Sequence, residues 1–558
     1  MIKKGATYLL MLLSVLSMSS CGIKASLNDR PNLSSYNINI PERTVINDST
    51  FSIGNNFLLK NRFGLWEMYV EGDPLELGLI SGSLSRELVL KQERVFMEKI
   101  YDLVPSQGRR NFLRKFLSWY NRKMYLHIKE EFKAEIYGIS RFSSSEYNEL
   151  ATPYLRSLYL HGAHDIGHAL QDLMLVGCSS FAVWGEKTPD GNLLIGRNFD
   201  FYAGDEFAEE KIIAFVNPSE GHNFMSVSWG GMIGVVSGMN DQGLTVTINA
   251  GKSKIPLVAK TPISIVTREI LQYAATIEEA VAIAKEREVF VSEAIFIGSA
   301  KDGRAALIEM SPTDFGVYEV TNSEQLICSN HFQSDVFKND RRNIKQIEES
   351  HSKYRFTRME ELLAEDEKIS PTEAVAILRN KKGVNDTILG FGNEKALNQL
   401  LAHHGIVFQP EDLRVWISSN PYQLGEFVSY DLNEVFKDRE GNPAKESMAI
   451  LPLTIAKDPF VDTPAFKNYE DYRILERLVE NAIERDNDLL PFTLLALQQK
   501  NPDYWKAYYL TGKYYNEKGY YAAALRAFET ANKKVIPTLP DKQEIERNIY
   551  KLKRKLNR

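Results

Sequence analysis

The chain has 558 residues, 44% of them hydrophobic and 25% charged, the make-up of a globular protein with room for more than one domain. Its net charge of -6 offers phosphate no basic face, so a nucleic-acid binder is excluded as a first expectation.

In chain order, residues 1–20 read as a targeting segment: Lys3 and Lys4 give a positive start and residues 8–16 a short apolar run. Ser17-Met18-Ser19-Ser20-Cys21 then looks like a bacterial lipoprotein signal, cut before Cys21 and lipidated on its thiol. No other stretch reaches the ~18 apolar residues of a membrane span. The expectation is a body tethered by lipid to a bacterial cell envelope, facing the periplasm or carried as an outer-membrane lipoprotein.

Residues 21–50 are polar, carry Pro31 and Pro41, and suit a tether. Residues 51–177 are expected to form a helical segment, with helical spacing over 87–103 and an aromatic, Lys- and Glu-rich stretch over 112–136. Near its end His161, His164, Asp165 and His168 fall at i, i+3, i+4 and i+7. That spacing puts them on one helix face, where zinc could bind. No further ligand motif accompanies them, and the expectation is no metal and no cofactor.

At Gly177-Cys178 the texture changes. An apolar run over 181–184, a turn at Pro189-Asp190-Gly191 and a second run over 193–195 spell a hairpin. Its return strand runs into Arg197 and Asp200, which would bring a cation and a carboxylate back beside the Cys178 thiol. With Cys21 lipidated, only Cys178 and Cys328 remain, and in an oxidising compartment they could instead form a disulfide.

Short alternating runs follow at 211–215, 224–229, 232–237, 244–249 and 294–297, then at 305–310, 316–320, 406–409 and 414–418. Helical patterns interrupt them at 262–273 and 277–286. Strands, helices and strands again imply stacked sheets covered by helices over a core of residues 178–465. Residues 466–558 turn helical, and Tyr508, Gly512, Tyr515, Gly519, Tyr521, Ala524, Phe528 and Ala531 match one tetratricopeptide-type hairpin. Such helices could bind a protein partner. The basic last stretch, 543–558, reads as a solvated face.

A cysteine after glycine has an unusual chemical option. If the Gly177-Cys178 bond is cut, Cys178 gains an α-amine of pKa ~7.7–8.0 beside a thiol of ~8.5. One residue then carries both nucleophile and base. Here the sequence resembles the N-terminal-nucleophile (Ntn) hydrolases of the acyl-coenzyme A:6-aminopenicillanic acid acyltransferase group, with choloylglycine hydrolases and acid-ceramidase-type amidases as relatives. The resemblance spans roughly residues 170–435. Gly177-Cys178 is similar to the self-cleavage site of that group. Gly196-Arg197-Asn198-Phe199-Asp200 resembles the element whose Arg and Asp hold the new amine and thiolate. The segment 238–244, ending in Asn249, resembles the one that supplies an oxyanion donor. Ser329-Asn330-His331-Phe332 resembles the element whose Asn is the second donor. Ser352-Lys353-Tyr354-Arg355-Phe356 resembles the one bearing a structural and electrostatic arginine. His403-His404-Gly405 through Val415-Trp416-Ile417 resembles the closing strand pair.

The resemblance implies an α+β, four-layer αββα core. It implies a catalytic set of Cys178, Arg197, Asp200, Asn249, Asn330 and Arg355, cleavage between Gly177 and Cys178, and hydrolysis or acyl transfer on a small N-acyl amide. N-acyl amino acids, fatty-acid amides, conjugated bile acids and β-lactam side chains all fit, and aromatics at Tyr202, Phe207, Phe224 and Trp229 suggest an apolar acyl group. The 156 residues between Cys21 and Cys178 exceed the lead of the plain family members. The alternative from another class is a lipid-tethered scaffold with a decayed core that binds partners through its C-terminal helices.

Overall fold

The computed structural model describes residues 22–557 apart from 105, 163–164, 166–174, 203, 254–257 and 438–445. The targeting segment, Cys21, His164 and His168 lie outside the described residues.

Two sheets carry the fold. The larger has eleven strands: β1 (Thr44–Asn47), β2 (Thr50–Ile53), β3 (Asn56–Lys60), β4 (Trp66–Gly72), β9 (Ile212–Pro218), β10 (Phe224–Ser228), β11 (Ser237–Asn240), β12 (Leu244–Ala250), β13 (Glu293–Ser299), β14 (Arg304–Met310) and β15 (Phe315–Tyr318). The smaller has six, in the order β16 (Gln325–Cys328), β6 (Ser179–Val183), β7 (Leu194–Phe199), β17 (His404–Gln409), β18 (Arg414–Ser418) and β19 (Phe427–Asp431). A two-residue pair, β5 (Leu175–Val176) with β8 (Phe201–Tyr202), flanks the Gly177-Cys178 bond.

Period-two alternation decides the layering. On β9, Ile213 and Phe215 enter a core shared with Ala182, Ile195, Ile406, Phe408, Val415 and Ile417 of the smaller sheet. The intervening Ile212, Ala214 and Val216 face a second core with Ile263, Val266 and Ile270 of α6 (Ile263–Tyr273) and Ala280 of α7 (Ile277–Lys285). On the far face of the smaller sheet, Phe181, Val183, Val407 and Trp416 meet Met359, Leu362 and Leu363 of α9 (Ser352–Glu365) and Val375 and Leu378 of α10 (Pro371–Leu378). Helix, sheet, sheet and helix therefore stack in four layers.

The segment ahead of Cys178 differs from the helical expectation at its start, because 44–72 forms β1–β4. Phe57, Trp66, Met68 and Tyr69 are the aromatic and apolar residues that fit a pleated surface. β4 runs parallel to β9 in an unbroken register from Trp66↔Ile212 to Gly72↔Pro218, so the segment extends the core sheet rather than covering it. Glu67, fully buried on β4, accepts hydrogen bonds from Asn61, Tyr430, Ser447 and the Met448 amide, tying β4 to residues downstream of the core strands. Helices follow: α1 (Pro74–Leu84), α2 (Arg86–Leu103), α3 (Gln107–Tyr120), α4 (Glu130–Ser140) and α5 (Pro153–His161). Glu135 of α4 takes a two-pronged ion pair from Arg268 of α6 at 3.1–3.2 Å.

One expected strand is a loop. Residues 232–236 form a loop, in which the Val235 amide donates to the Ser264 carbonyl of α6 at 2.9 Å and not to a neighbouring strand; the strand begins only at Ser237. At the C-terminus, α11 (Pro464–Glu484), α12 (Pro491–Lys500), α13 (Trp505–Glu517), α14 (Tyr521–Ala531) and α15 (Leu539–Leu556) share one core, with Ala507, Leu510, Ala524 and Phe528 at its centre. Among the described residues no helix is long and apolar enough to cross a membrane.

Candidate active site

The hairpin forms as its sequence suggests: β6 and β7 pair antiparallel with Ser180 opposite Arg197 and Ser179 opposite Asn198. Cys178, one residue ahead of β6, thereby meets the end of β7. The Gly177 amide donates to the Asp200 carbonyl at 3.0 Å, closing the corner. Cys178, Arg197, Asp200, Asn249, Asn330 and Arg355 are all at most 2% exposed, and contacts among them join the two sheets and α9 at one buried point.

Arg197 is the hub. Nη2 donates to Cys178 Sγ at 3.7 Å and to the Ile248 carbonyl at 2.6 Å. Nη1 donates to the Val236 carbonyl at 3.2 Å and to Ser237 Oγ. Two backbone carbonyls, one from the loop that leads into β11 and one from β12, thus aim a permanent cation at the thiol. From the other side Arg355, one turn into α9, donates from Nη1 to the Cys178 carbonyl (2.6 Å) and Ser179 Oγ (2.7 Å), and from Nη2 to Asn330 Oδ1. Asn330 Nδ2 donates to the Ala250 carbonyl at 3.0 Å, beside Asn249 at the end of β12. Asn249 Oδ1 accepts from Ser180 Oγ at 2.9 Å, and its Nδ2 makes only long contacts of 3.4–3.5 Å to the carbonyls of Ser329 and Cys328. Each carboxamide is anchored through its oxygen, which turns its NH₂ toward other acceptors.

Burial pushes the Cys178 thiol up; Arg197 and Arg355 pull it down, while Asp200 and Glu293 push it further up. Asp200 is fully buried, and neither carboxylate oxygen has a hydrogen-bond partner among the described residues. Burial raises its pKa to about 8, against the pull of Arg355 and Arg197. An acid raised in the fold contributes fully to stability below its unfolded pKa and loses that contribution as pH rises through the folded one. For Asp200 the window runs from about pH 4 to pH 8. In an uncut Cys178→Ala background, Asp200→Asn is therefore expected to raise the melting temperature by several degrees at pH 8 and hardly at all at pH 4. Equal melting shifts at both pH values would show that Asp200 does not titrate there.

A Cβ at Gly177 would lie 2.5 Å from Gln399 Nε2, so a larger residue there requires the end of the buried Gln399 side chain or the backbone to move. Cys178 and Cys328 are both free thiols, so the disulfide alternative is not the arrangement adopted. The expected aromatic wall is divided. Phe207 and Trp229 stack edge-on at 5.1 Å, whereas Phe224 lies under Arg268 and Tyr202 bonds to Asp205. Of the histidine cluster, His161 has both ring nitrogens on backbone, the Ser157 carbonyl and the Ile233 amide, and Asp165 accepts the Ile263 amide. Ser237 and Gln399 were not singled out by their sequence context, and Ser352 and His404 stood within longer motifs without a role of their own. Ser352 Oγ accepts the Asn330 amide at 2.8 Å, and its place at the head of the Ser-x-x-Arg element was the one available signal.

Residues 186–421 match the sequence profile of the family described as acyl-coenzyme A:6-aminopenicillanic acid acyl-transferase. That stretch contains Arg197, Asp200, Asn249, Asn330 and Arg355 and begins just after Cys178. A protein of Archaeoglobus fulgidus, described only as an uncharacterized protein, is 27% identical over 275 residues, covering 46% of this chain and 45% of the relative. The chain thus spans less than half the length of the curated relative it matches. Among solved structures, an N-acylethanolamine-hydrolyzing acid amidase ortholog of Caenorhabditis elegans is 17% identical, covering 42% of this chain and 93% of that one. A mutant conjugated bile acid hydrolase of Clostridium perfringens is 14% identical, covering 48% and 94%. Both have TM-scores of 0.31, too low to bear on function. The likeness to the acyl-coenzyme A:6-aminopenicillanic acid acyl-transferase family thus covers residues 186–421, less than half of the chain.

Proposed function

We propose that this protein is a self-processing cysteine hydrolase or acyltransferase acting on linear amide bonds of small N-acyl substrates. The observation that carries the reading is the meeting of Cys178 Sγ with Arg197 beside a buried Asp200 carboxyl that no donor among the described residues satisfies. A buried carboxyl without a partner costs free energy that a new donor would recover, and the α-ammonium of a freed Cys178 is such a donor.

Processing begins when Cys178 Sγ attacks the Gly177 carbonyl carbon. The C–S bond forms, the C–N bond breaks, and the thiol proton ends on the departing amine. Water then cleaves the thioester, leaving a Gly177 carboxylate and a free amine on Cys178. In turnover that amine takes the thiol proton, and the thiolate attacks the substrate carbonyl. Asn249 and Asn330 donate to the oxyanion, and the ammonium returns its proton to the leaving amine. Water or a second amine releases the acyl group.

Retention of the upstream segment belongs to the same reading. β1–β4 are strands of the core sheet, and Phe57, Leu58, Tyr69, Val70 and Phe132 are buried in cores shared with residues beyond the cut. At ~1.5–3 kcal/mol for each fully buried side chain, such contacts compete well with an association cost of ~4–15 kcal/mol. If Cys21 is lipidated, the tether then sits on the small fragment and the nucleophile on the large one. The C-terminal helices are proposed as a tetratricopeptide-like surface for a protein partner.

The test is the intact mass and N-terminal sequence of the purified protein. Two co-eluting fragments, one starting at Cys178, are expected. Gly177→Ala should slow their appearance roughly tenfold to a hundredfold, because the added methyl meets Gln399 and shifts the attacked carbonyl. Processing of that variant at the normal rate would remove Gln399 as the constraint on residue 177.

A further inference from the structure

Behind Arg197 lies a run of buried polar groups that the proposed chemistry leaves unused. Ser237 Oγ is 2.9 Å from His404 Nε2, and His404 Nδ1 is 2.9 Å from His403 Nδ1. All three residues are 0% exposed. Their placement follows from pairing: His404 opens β17 opposite Phe199 at the end of β7, and Ser237 opens β11.

Arginine fixes the direction of this chain. A guanidinium only donates, so Ser237 Oγ must accept from Arg197. The Ser237 hydroxyl hydrogen is then free to point at His404 Nε2. A neutral His404 accepting at Nε2 carries its proton on Nδ1 and donates it to His403 Nδ1. His403 in turn carries its proton on Nε2, which has no hydrogen-bond partner among the described residues; its ring packs against those of Phe207 and Trp229, with ring centroids 4.9 and 5.5 Å apart. Each hydrogen bond from Arg197 to His403 then has one donor and one acceptor.

The charged and titratable groups facing the two histidines are Arg197 from β7 and Lys211, just ahead of β9. Lys211 Nζ donates to the Ser418 carbonyl at 3.1 Å, and burial lowers its own pKa to about 7. Burial first, and then Arg197 and the charged form of Lys211, hold both imidazoles well below their usual range. The histidines stay neutral, and the chain keeps one direction across the neutral pH range.

We propose that Ser237 and His404 are positioning residues, which hold Arg197 against the Cys178 thiol through this one-way hydrogen-bond chain. The chain leaves the Ser237 lone pair, rather than its hydrogen, facing the guanidinium. Without the His404 acceptor the hydroxyl hydrogen can turn toward Arg197, and the cation loses the acceptor that aims it. The proposal rests on the reading of Cys178 as the nucleophile.

The test is a thiolate titration of the purified full-length protein from pH 5 to 11. Absorbance at 240 nm is taken as the difference between each variant and the same variant carrying Cys178→Ala. Ser237→Ala and His404→Phe are expected to raise the Cys178 midpoint by about one pH unit, roughly tenfold less thiolate at a given pH. Ser237→Thr keeps the hydroxyl and His404→Gln keeps an acceptor, and both should hold the parent midpoint. A parent midpoint in Ser237→Ala overturns the proposal. So does an equal shift in His404→Phe and His404→Gln, which would assign His404 to packing alone. Where His404→Phe fails to fold, the Ser237 pair decides by itself. The nucleophile reading fails separately, if Cys178→Ala protein still hydrolyses amides.

Discussion

Cys178→Ala protein is expected to purify as a single uncut chain, with amide hydrolysis lost on the order of 10⁴-fold or more. The substitution removes one sulfur from a site 1% exposed, so its effect on folding is small beside its chemical effect. The sulfur is the atom that the proposed chemistry uses to attack both carbonyls. Three observables should move together. The intact mass stays that of the uncut chain, no fragment begins at residue 178, and no acyl-amide probe is turned over. Cutting that persisted in the variant would mean an outside protease makes the cleavage. Turnover that persisted would move the nucleophile elsewhere. An uncut wild type beside an uncut variant would favour the scaffold reading, with the C-terminal helices as its working surface.

The site was legible where chemistry is written in neighbouring residues. Gly177-Cys178, the Asp-Gly turn and Arg197 announce a hairpin, and β6 and β7 pair in the register that brings Arg197 to Sγ. The alternation on β9, β12 and β17 was equally readable, because two buried faces select opposite residues of one strand. The strands at 44–72 were not read: residues up to 50 pass for a polar tether and those from 51 were grouped with the helical patterns that follow, since four short runs show no pairing until a partner strand is known. The loop at 232–236 carries an apolar run that mimics a strand, and the contact that diverts it, the Val235 amide on the Ser264 carbonyl, comes from a helix distant in sequence. Ser237 and His404 escaped for a related reason. Their contact is set by the meeting of two sheets, and no spacing along the chain encodes it. Local pattern gives faces and turns; partnership across layers comes from the assembled fold.

Asn330→Ala is expected to cut turnover by about 10²–10³-fold, a loss of ~2.7–4 kcal/mol of transition-state stabilisation if its NH₂ serves the oxyanion. Asn330 Nδ2 spends one hydrogen on the Ala250 carbonyl at 3.0 Å, which leaves the second for a substrate oxygen. The side chain has a structural duty as well, because its Oδ1 accepts from Arg355. Losing that acceptor leaves a buried guanidinium short of one partner, at ~1–3 kcal/mol. Arg355 keeps the Cys178 carbonyl, Ser179 Oγ and His351 Nδ1, so the fold should survive with a lower melting temperature. The two effects separate in one comparison. Asn330→Asp retains an acceptor for Arg355 but puts negative charge where the oxyanion forms. It should therefore recover much of the melting temperature and none of the turnover. Recovery of turnover in Asn330→Asp would reduce Asn330 to a support for Arg355, and the oxyanion would then depend on Asn249, whose amide nitrogen makes the longer and weaker contacts.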